Sequence, residues 1–252
     1  MLVGRPPANH ARRSRPSHPS RPTPMAATSL FSPAEPLQVA CIESQPFGQN
    51  SYVGFRRGDS RCLVIDPGFE PGAIVDWIDG HGLEPEAILL THGHSDHIAG
   101  NEALRIRWPQ VPILIGRHDA DKLTNPAGNL SAAYGLSLRS PPADRLLDHG
   151  ERVSLAGLDL EVREIPGHSR GHVVFVVEGL EPPVVFGGDV LFAEGVGRSD
   201  FADGDFATLA AGIRGQLYTL PDEALVFPGH GDPTTIGHEK RHNPFVPAGA
   251  AR

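Results

Sequence analysis

Hydrophobic and polar positions follow two rhythms along this chain, and the switches between them outline its elements. Leu37–Ile42 and Ser51–Phe55 carry the β-branched and aromatic residues of strands, joined by the turn-rich stretch 43–50. Cys62–Asp66 is a short apolar run closed by Pro67-Gly68, which predicts a third strand. In 71–80 the apolar residues Ile74, Val75 and Ile78 fall at helical spacing, with Pro71 suited to the first turn and Gly80 to the end. Ala87–Leu90 predicts a strand running into a polar, histidine-rich segment. A helix over His97–Trp108 and a strand over Val111–Ile115 follow. Residues 124–145, rich in Pro, Gly, Ser and Asn, predict a lid-like excursion rather than a separate domain. Strands return in 153–165, 172–179 and 183–192, where Leu158, Leu160 and Val162 alternate with polar residues. An amphipathic helix over 205–220 and a strand over Ala224–Phe227 complete the pattern. Interleaved strands and helices without a repeat imply one mixed α/β domain over 35–247, followed by a short tail at 248–252.

Composition changes the picture at the N-terminus. Residues 1–24 hold five arginines, six prolines and no acid, and almost nothing apolar. Such a segment cannot bury enough surface to fold, so 1–34 is expected to be a disordered leader. It lacks the apolar stretch of a secretory signal. Its Arg-rich character resembles a transit peptide, and a true start at Met25 explains it equally well. The net charge of −8 conceals an acidic body: without those five arginines, 17 basic residues face 30 acidic ones, a balance of −13. That argues against nucleic acid as a partner. No apolar run reaches the roughly 18 residues of a membrane span, so a cytoplasmic protein is expected. With 13 His against 2 Cys, any metal would be held by imidazole and carboxylate rather than thiolate.

The chemistry concentrates in Thr91-His92-Gly93-His94-Ser95-Asp96-His97, which places three imidazoles and a carboxylate where a strand ends and a helix begins. In an extended loop His92, His94 and Asp96 point one way and His97 another. That suits two adjacent ions: one on His92 and His94, the other on Asp96 and His97. Further candidates share one setting. His168, Asp189 and His230 each follow an apolar strand, and each directly follows a glycine. Strand C-termini are where open α/β sheets collect ligands.

HxHxDH followed by GH, GD and GH at these separations resembles the metallo-β-lactamase superfamily across nearly all of 37–247. The stretches GGDVLFAEGVGRSDFADGD and VFPGHGDPTTIGHEKRHNPFV are similar to compact bacterial glyoxalase II-type hydrolases. The resemblance implies an αβ/βα four-layer sandwich with two divalent metal ions, zinc foremost and iron or manganese also compatible. It implies that His92, His94 and His168 hold the first ion, that Asp96, His97 and His230 hold the second, and that Asp189 bridges both. The reaction implied is attack of a metal-bridged hydroxide on a small thioester such as S-lactoylglutathione, with Asp96 and Asp189 as the catalytic carboxylates. About 20 residues follow His230, so the C-terminal glutathione-binding domain of larger glyoxalase II enzymes is not expected. Lys240 and Arg241 are the basic pair available to an anionic, glutathione-linked substrate. The competing expectation is a mononuclear-iron persulfide dioxygenase using His92, His168 and Asp189. Arg198 is expected to pair with a structural carboxylate, and His172 to act in packing more than in support of a metal ligand.

Overall fold

The computed structural model of the protein describes residues 28–249. The leader up to residue 27 and the last three residues lie outside them. The chain opens with strands β1 (Thr28–Ala34), β2 (Leu37–Ser44), β3 (Gln49–Arg56) and β4 (Arg61–Ile65). Helix α1 (Pro71–Gly80) leads to β5 (Glu84–Leu90), and α2 (Ser95–Ile98) and α3 (Asn101–Arg107) lead to β6 (Ile113–Gly116). After the excursion, β7 (Arg145–Leu147) completes a seven-stranded sheet in chain order. Its first half is antiparallel, whereas β4 to β7 run parallel because helices or long crossings return the chain between them.

The second sheet uses β8 (Arg152–Leu155), β9 (Leu158–Glu164), β10 (Val173–Val177) and β11 (Val184–Gly188). The small hairpin β12 (Leu191–Phe192) and β13 (Gly195–Val196) precedes α4 (Phe206–Gly212), β14 (Leu225–Pro228), β15 (Thr234–Thr235) and α5 (Ile236–His242). The strand order is β15-β14-β11-β10-β9-β8.

Side-chain alternation sorts each central strand between two cores. Leu63 and Ile65 of β4, Leu89 of β5, Val173, Phe175 and Val177 of β10 and Phe186 of β11 form the core between the sheets. Their neighbours Cys62, Val64, Ile88 and Leu90 face outward onto Ile74 and Ile78 of α1 and Leu104 of α3. Val174, Val176 and Val185 face Leu209 of α4, Ile213 and Ile236 of α5. Helix, sheet, sheet and helix therefore form four layers. Phe186 sits at the centre, its ring 5.7 Å from Tyr52 and 5.9 Å from Phe227. Phe186→Ala is expected to lower the unfolding free energy by about 3–5 kcal/mol, as a shifted denaturant midpoint with unchanged slope.

Three expectations need correction. Residues 28–34 are not leader: β1 pairs antiparallel with β2, from Thr28↔Ile42 to Ala34↔Leu37. Its side chains are mostly exposed, so backbone pairing rather than an apolar pattern orders it. The helix over His97–Trp108 is two pieces, because the Gly100 N–H donates to Pro67 O at 2.8 Å instead of continuing the helical ladder. The helix over 205–220 keeps its start, where Asp205 accepts from Thr208 N at 2.7 Å, but passes at Ile213–Leu217 into a π-helical turn. The excursion holds only short 3₁₀ turns between β6 and β7. No described helix is long and apolar enough to cross a membrane.

Candidate metal centre

The C-terminal ends of β5, β9, β11 and β14 meet at one edge of the sandwich, and each delivers ligand-type side chains. The segment after β5 brings His92, His94, Asp96 and His97. The turns after β9, β11 and β14 bring His168, Asp189 and His230. Lone-pair atoms converge in three groups, His92–His94–His168, Asp96–His97–His230 and, joining them from behind, Asp66–His92–His97. His94 Nδ1 lies 2.9 Å and His92 Nε2 3.2 Å from His168 Nε2. His230 Nε2 lies 3.3 Å and His97 Nε2 3.8 Å from Asp96 Oδ2. Asp189 stands between the first two groups: its Oδ1 is 3.4 Å from His97 Nε2, and its Oδ2 is 3.5 Å from both His168 Nε2 and His230 Nε2. All seven residues named from the sequence are thus brought together.

These distances fit a cation better than a hydrogen-bond network. Tetrahedral ligands at about 2.0–2.1 Å from an ion are separated by roughly 3.3 Å. Three imidazole nitrogens facing one another cannot satisfy each other as neutral rings, since each ring has one donor only. His94 Nε2, His97 Nε2 and Asp189 Oδ1 are buried without any hydrogen-bond partner. Clusters of this kind on this fold indicate divalent metal ions.

The electrostatics point the same way. Burial, and then the charge of His97 and His94, hold His92 well below the ordinary histidine range. Burial and His168 do the same to His94, keeping both in the neutral form that ligates. Burial opposes ionisation of Asp189, yet His97 and His230 beside it hold its carboxyl well below the usual range. Burial likewise opposes a charge on His97, but Asp189 and Asp96 outweigh it and raise its pKa.

The outer nitrogens are fixed by acceptors. His168 Nδ1 donates to Arg198 O at 2.7 Å and His230 Nδ1 to Phe47 O at 3.2 Å. His97 Nδ1 lies 2.9 Å from Asp66 Oδ2. Asp66, at the end of β4, also accepts from Thr91 N at 2.7 Å and Thr91 Oγ1 at 2.6 Å. Its lone pairs are thus committed to orienting His97 and the strand end. From the sequence Asp66 only closes a strand; its one local signal is an acidic residue ending a fully apolar run before Pro-Gly. His172 was weighted toward packing. Its ring does stack on His92, with centroids 4.7 Å apart, but its Nε2 also accepts from Asp189 N at 3.0 Å. It therefore fixes the backbone of the central carboxylate.

A cavity of about 200 Å³ opens onto the cluster. Phe47, Leu130, Tyr134, Phe192 and Phe201 line it, with Arg198 at its rim; Leu130 and Tyr134 come from the 124–145 excursion. Arg198 pairs with Asp200 at 2.9 Å and lies over the Phe201 ring. The structure does not bring Lys240 and Arg241 to this cavity. Both sit on α5 and are held by Asp222, at 2.7 and 3.2 Å. Lys240→Ala is expected to leave KM within about twofold, since an exposed ion pair contributes little; steady-state kinetics check it.

Gly229 shows how tightly the site is built. A β-carbon there would fall on Asp189 Oδ1 and lie 2.7 Å from His97 Cε1. Gly229→Ala is expected to reduce metal occupancy and lower kcat by about 10²-fold, as a misplaced ligand does, while every ligand remains. Metal analysis with kinetics tests this.

Residues 45–230 match the Metallo-beta-lactamase superfamily. The chain is 37% identical over 202 residues to the probable metallo-hydrolase YqgX of Bacillus subtilis, covering 80% of this chain and 93% of that protein. It is 36% identical over 217 residues to the hydroxyacylglutathione hydrolase GloC of Haemophilus influenzae, covering 83% and 98%. Among solved structures, BLEG-1 B3 metallo-beta-lactamase superposes with a TM-score of 0.78 at 35% identity, over 82% of this chain and 99% of that one. TTHA1623 in a di-iron-bound form gives 0.71 at 35% identity, with the same coverage. Fold, ligand geometry and sequence likeness over most of the length agree: the chain belongs to the metallo-beta-lactamase superfamily.

Proposed function

We propose that this protein is a dinuclear metal-dependent hydrolase of small thioesters, with His92, His94 and His168 holding one ion and Asp96, His97 and His230 the other. Asp189 serves both. The observation that carries this reading is the position of Asp189, within 3.5 Å of ligand nitrogens from each group. Bound divalent ions supply an acidified water and a Lewis acid for the carbonyl oxygen. Asp96 lines the cavity and, with Asp189, is the carboxylate within reach of the attacking water. It accepts the proton as water adds to the acyl carbon. The carbon–sulfur bond then breaks, and the sulfur leaves as thiol with that proton. Phe47, Phe192 and Phe201 exclude bulk water and seat the acyl chain. The likeness to a hydroxyacylglutathione hydrolase supports a thioester, and zinc is the first choice of ion among those the ligands accept.

A second reading rests on a smaller set: His92, His168 and Asp189 also converge, at 3.2 and 3.5 Å, and would suffice for one iron in a persulfide dioxygenase. Purified protein should carry two ions per chain and release thiol from S-lactoylglutathione or a coenzyme A thioester. One iron per chain with oxygen uptake on glutathione persulfide would overturn the hydrolase reading. Phe201→Ala is expected to raise KM by about fivefold, roughly 1 kcal/mol of lost apolar contact, with kcat changed less; Michaelis–Menten analysis separates the two.

A further inference from the structure

A second buried carboxylate lies behind the site, on a segment that contributes nothing to the ligand set. Asp119 sits in the turn Arg117–Thr124 after β6 and is fully buried. Its Oδ2 accepts from Gly93 N at 2.9 Å and from Ser169 Oγ at 2.7 Å. Its Oδ1 accepts from Gly171 N at 2.9 Å. Gly93 is the residue between His92 and His94, and Ser169 directly follows His168. One side chain therefore ties together the two loops that carry the first triad, although they are more than seventy residues apart. Lys122, itself buried, supplies the counter-charge, with Nζ 3.3 Å from Asp119 Oδ1 and 2.7 Å from Asp203 Oδ2. An isolated buried carboxylate would be costly; three donors and an ammonium offset that cost. The fit is close: a β-carbon on Gly93 would lie 2.6 Å from Lys122 Cβ.

We propose that Asp119 is the positioning residue of the first metal site: it sets the separation of the His92/His94 loop from the His168 loop, and thereby the affinity of that site alone. This rests on the metal assignment above, but not on the thioester. The second triad has its own carboxylate, Asp66, which touches His97 directly. Asp66 reaches the first triad only at one remove, through the Thr91 hydroxyl that lies 3.1 Å from His92 Nδ1, whereas Gly93 and Ser169, which Asp119 holds, adjoin ligands of the first triad. Asp119→Asn keeps the shape but turns one acceptor into a donor facing Gly93 and Ser169 or Gly171, all of which donate.

The test uses metal alone. Metal-free protein is titrated with Co²⁺, and the imidazole N–H protons shifted by the ion are followed by NMR. The His168 Nδ1 proton, donated to a carbonyl, reports the first site; those of His97 and His230 report the second. Asp119→Asn should weaken the first site by about 10- to 100-fold and leave the second within about threefold, the range for residues that orient ligands. Asp66→Asn should weaken the second site most, with a smaller loss at the first through Thr91 and His92. Ser169→Ala, which removes one donor from Asp119, should weaken the first site severalfold and decides the matter if Asp119→Asn does not fold. Equal weakening of both sites by Asp119→Asn, or an unchanged first site in Asp119→Asn or Ser169→Ala, would overturn the proposal. Neither result depends on which substrate is hydrolysed.

Discussion

Asp189→Ala is expected to lower kcat by about 10³-fold or more and to leave the protein with fewer than two ions per chain. The size follows from position. Asp189 approaches His168 of the first triad and His97 and His230 of the second, so its loss would disturb both proposed ions at once, and groups acting as one catalytic unit lose most of their effect when any member is removed. Its surroundings amplify the effect. His172 holds its backbone N–H, and Gly229 leaves room for its Oδ1. Asp189→Glu should not rescue, because one added methylene pushes the carboxylate into a space closed by His97, His168 and His230. Metal quantification beside single-turnover kinetics checks both variants. A variant retaining two ions and near-normal kcat would overturn the assignment of Asp189.

Removing the metal is the second large perturbation. A chelator should abolish activity, and added divalent ion should restore it. Because the ions bind the folded state, about 4 kcal/mol of stability per site is lost when free metal falls from a thousandfold above Kd to nothing. For a chain of this size that corresponds to a drop in Tm of roughly 8–16 °C per site. The metal-free protein should also become acid-sensitive in a defined direction. Burial lowers the pKa of His92, His94, His168 and His172 in the fold. The unfolded chain therefore binds more protons at these four, and their contribution to stability, present above about pH 6.5, falls away below it. His97 and His230 are raised by Asp189 and Asp96 and act oppositely, losing stability as pH rises through their folded values. Below about pH 6.5 His97 and His230 are protonated in both states and add no slope, so the four lowered histidines make the metal-free protein less stable as pH falls through that range. At His92, His94 and His168 bound metal competes with protons that the fold already disfavours, so the loaded protein should keep its ions to a lower pH than that at which the metal-free protein begins to lose stability. Thermal melts against pH, with and without chelator, measure both effects.

Much of the site was legible because ligands cluster in sequence where strands end. HxHxDH presents four groups in six residues, and His168, Asp189 and His230 repeat one strand–glycine–ligand pattern. Helix α1 was legible to the residue because Pro71 and Gly80 mark its ends. Other elements were not. β1 is ordered by backbone pairing, which leaves no apolar pattern to read. The break before α3 depends on a hydrogen bond to Pro67, thirty-three residues earlier. Lys240 and Arg241 looked available to an anion; their partner Asp222 lies in the turn before β14 and meets them only through α5.

The pattern of apolar and polar positions by itself therefore determined a mixed α/β domain and which side chains of a strand share a face, while the four layers followed from the family resemblance and the packing. Period-two strands and one amphipathic helix stripe are local properties, and alternation alone sends Leu63 one way and Val64 the other. Residue chemistry likewise determined that imidazole and carboxylate would hold metal. Only the tertiary structure decided which groups support those ligands. Asp66, Asp119 and His172 each act on residues far along the chain; beyond the acid that closes an apolar run at Asp66, nothing in their own neighbourhood distinguishes them from a strand end, a turn acid or a core histidine. Their roles arise from convergence of distant strand ends at one edge of the sandwich, where a buried charge must find donors and a buried ring must find a partner.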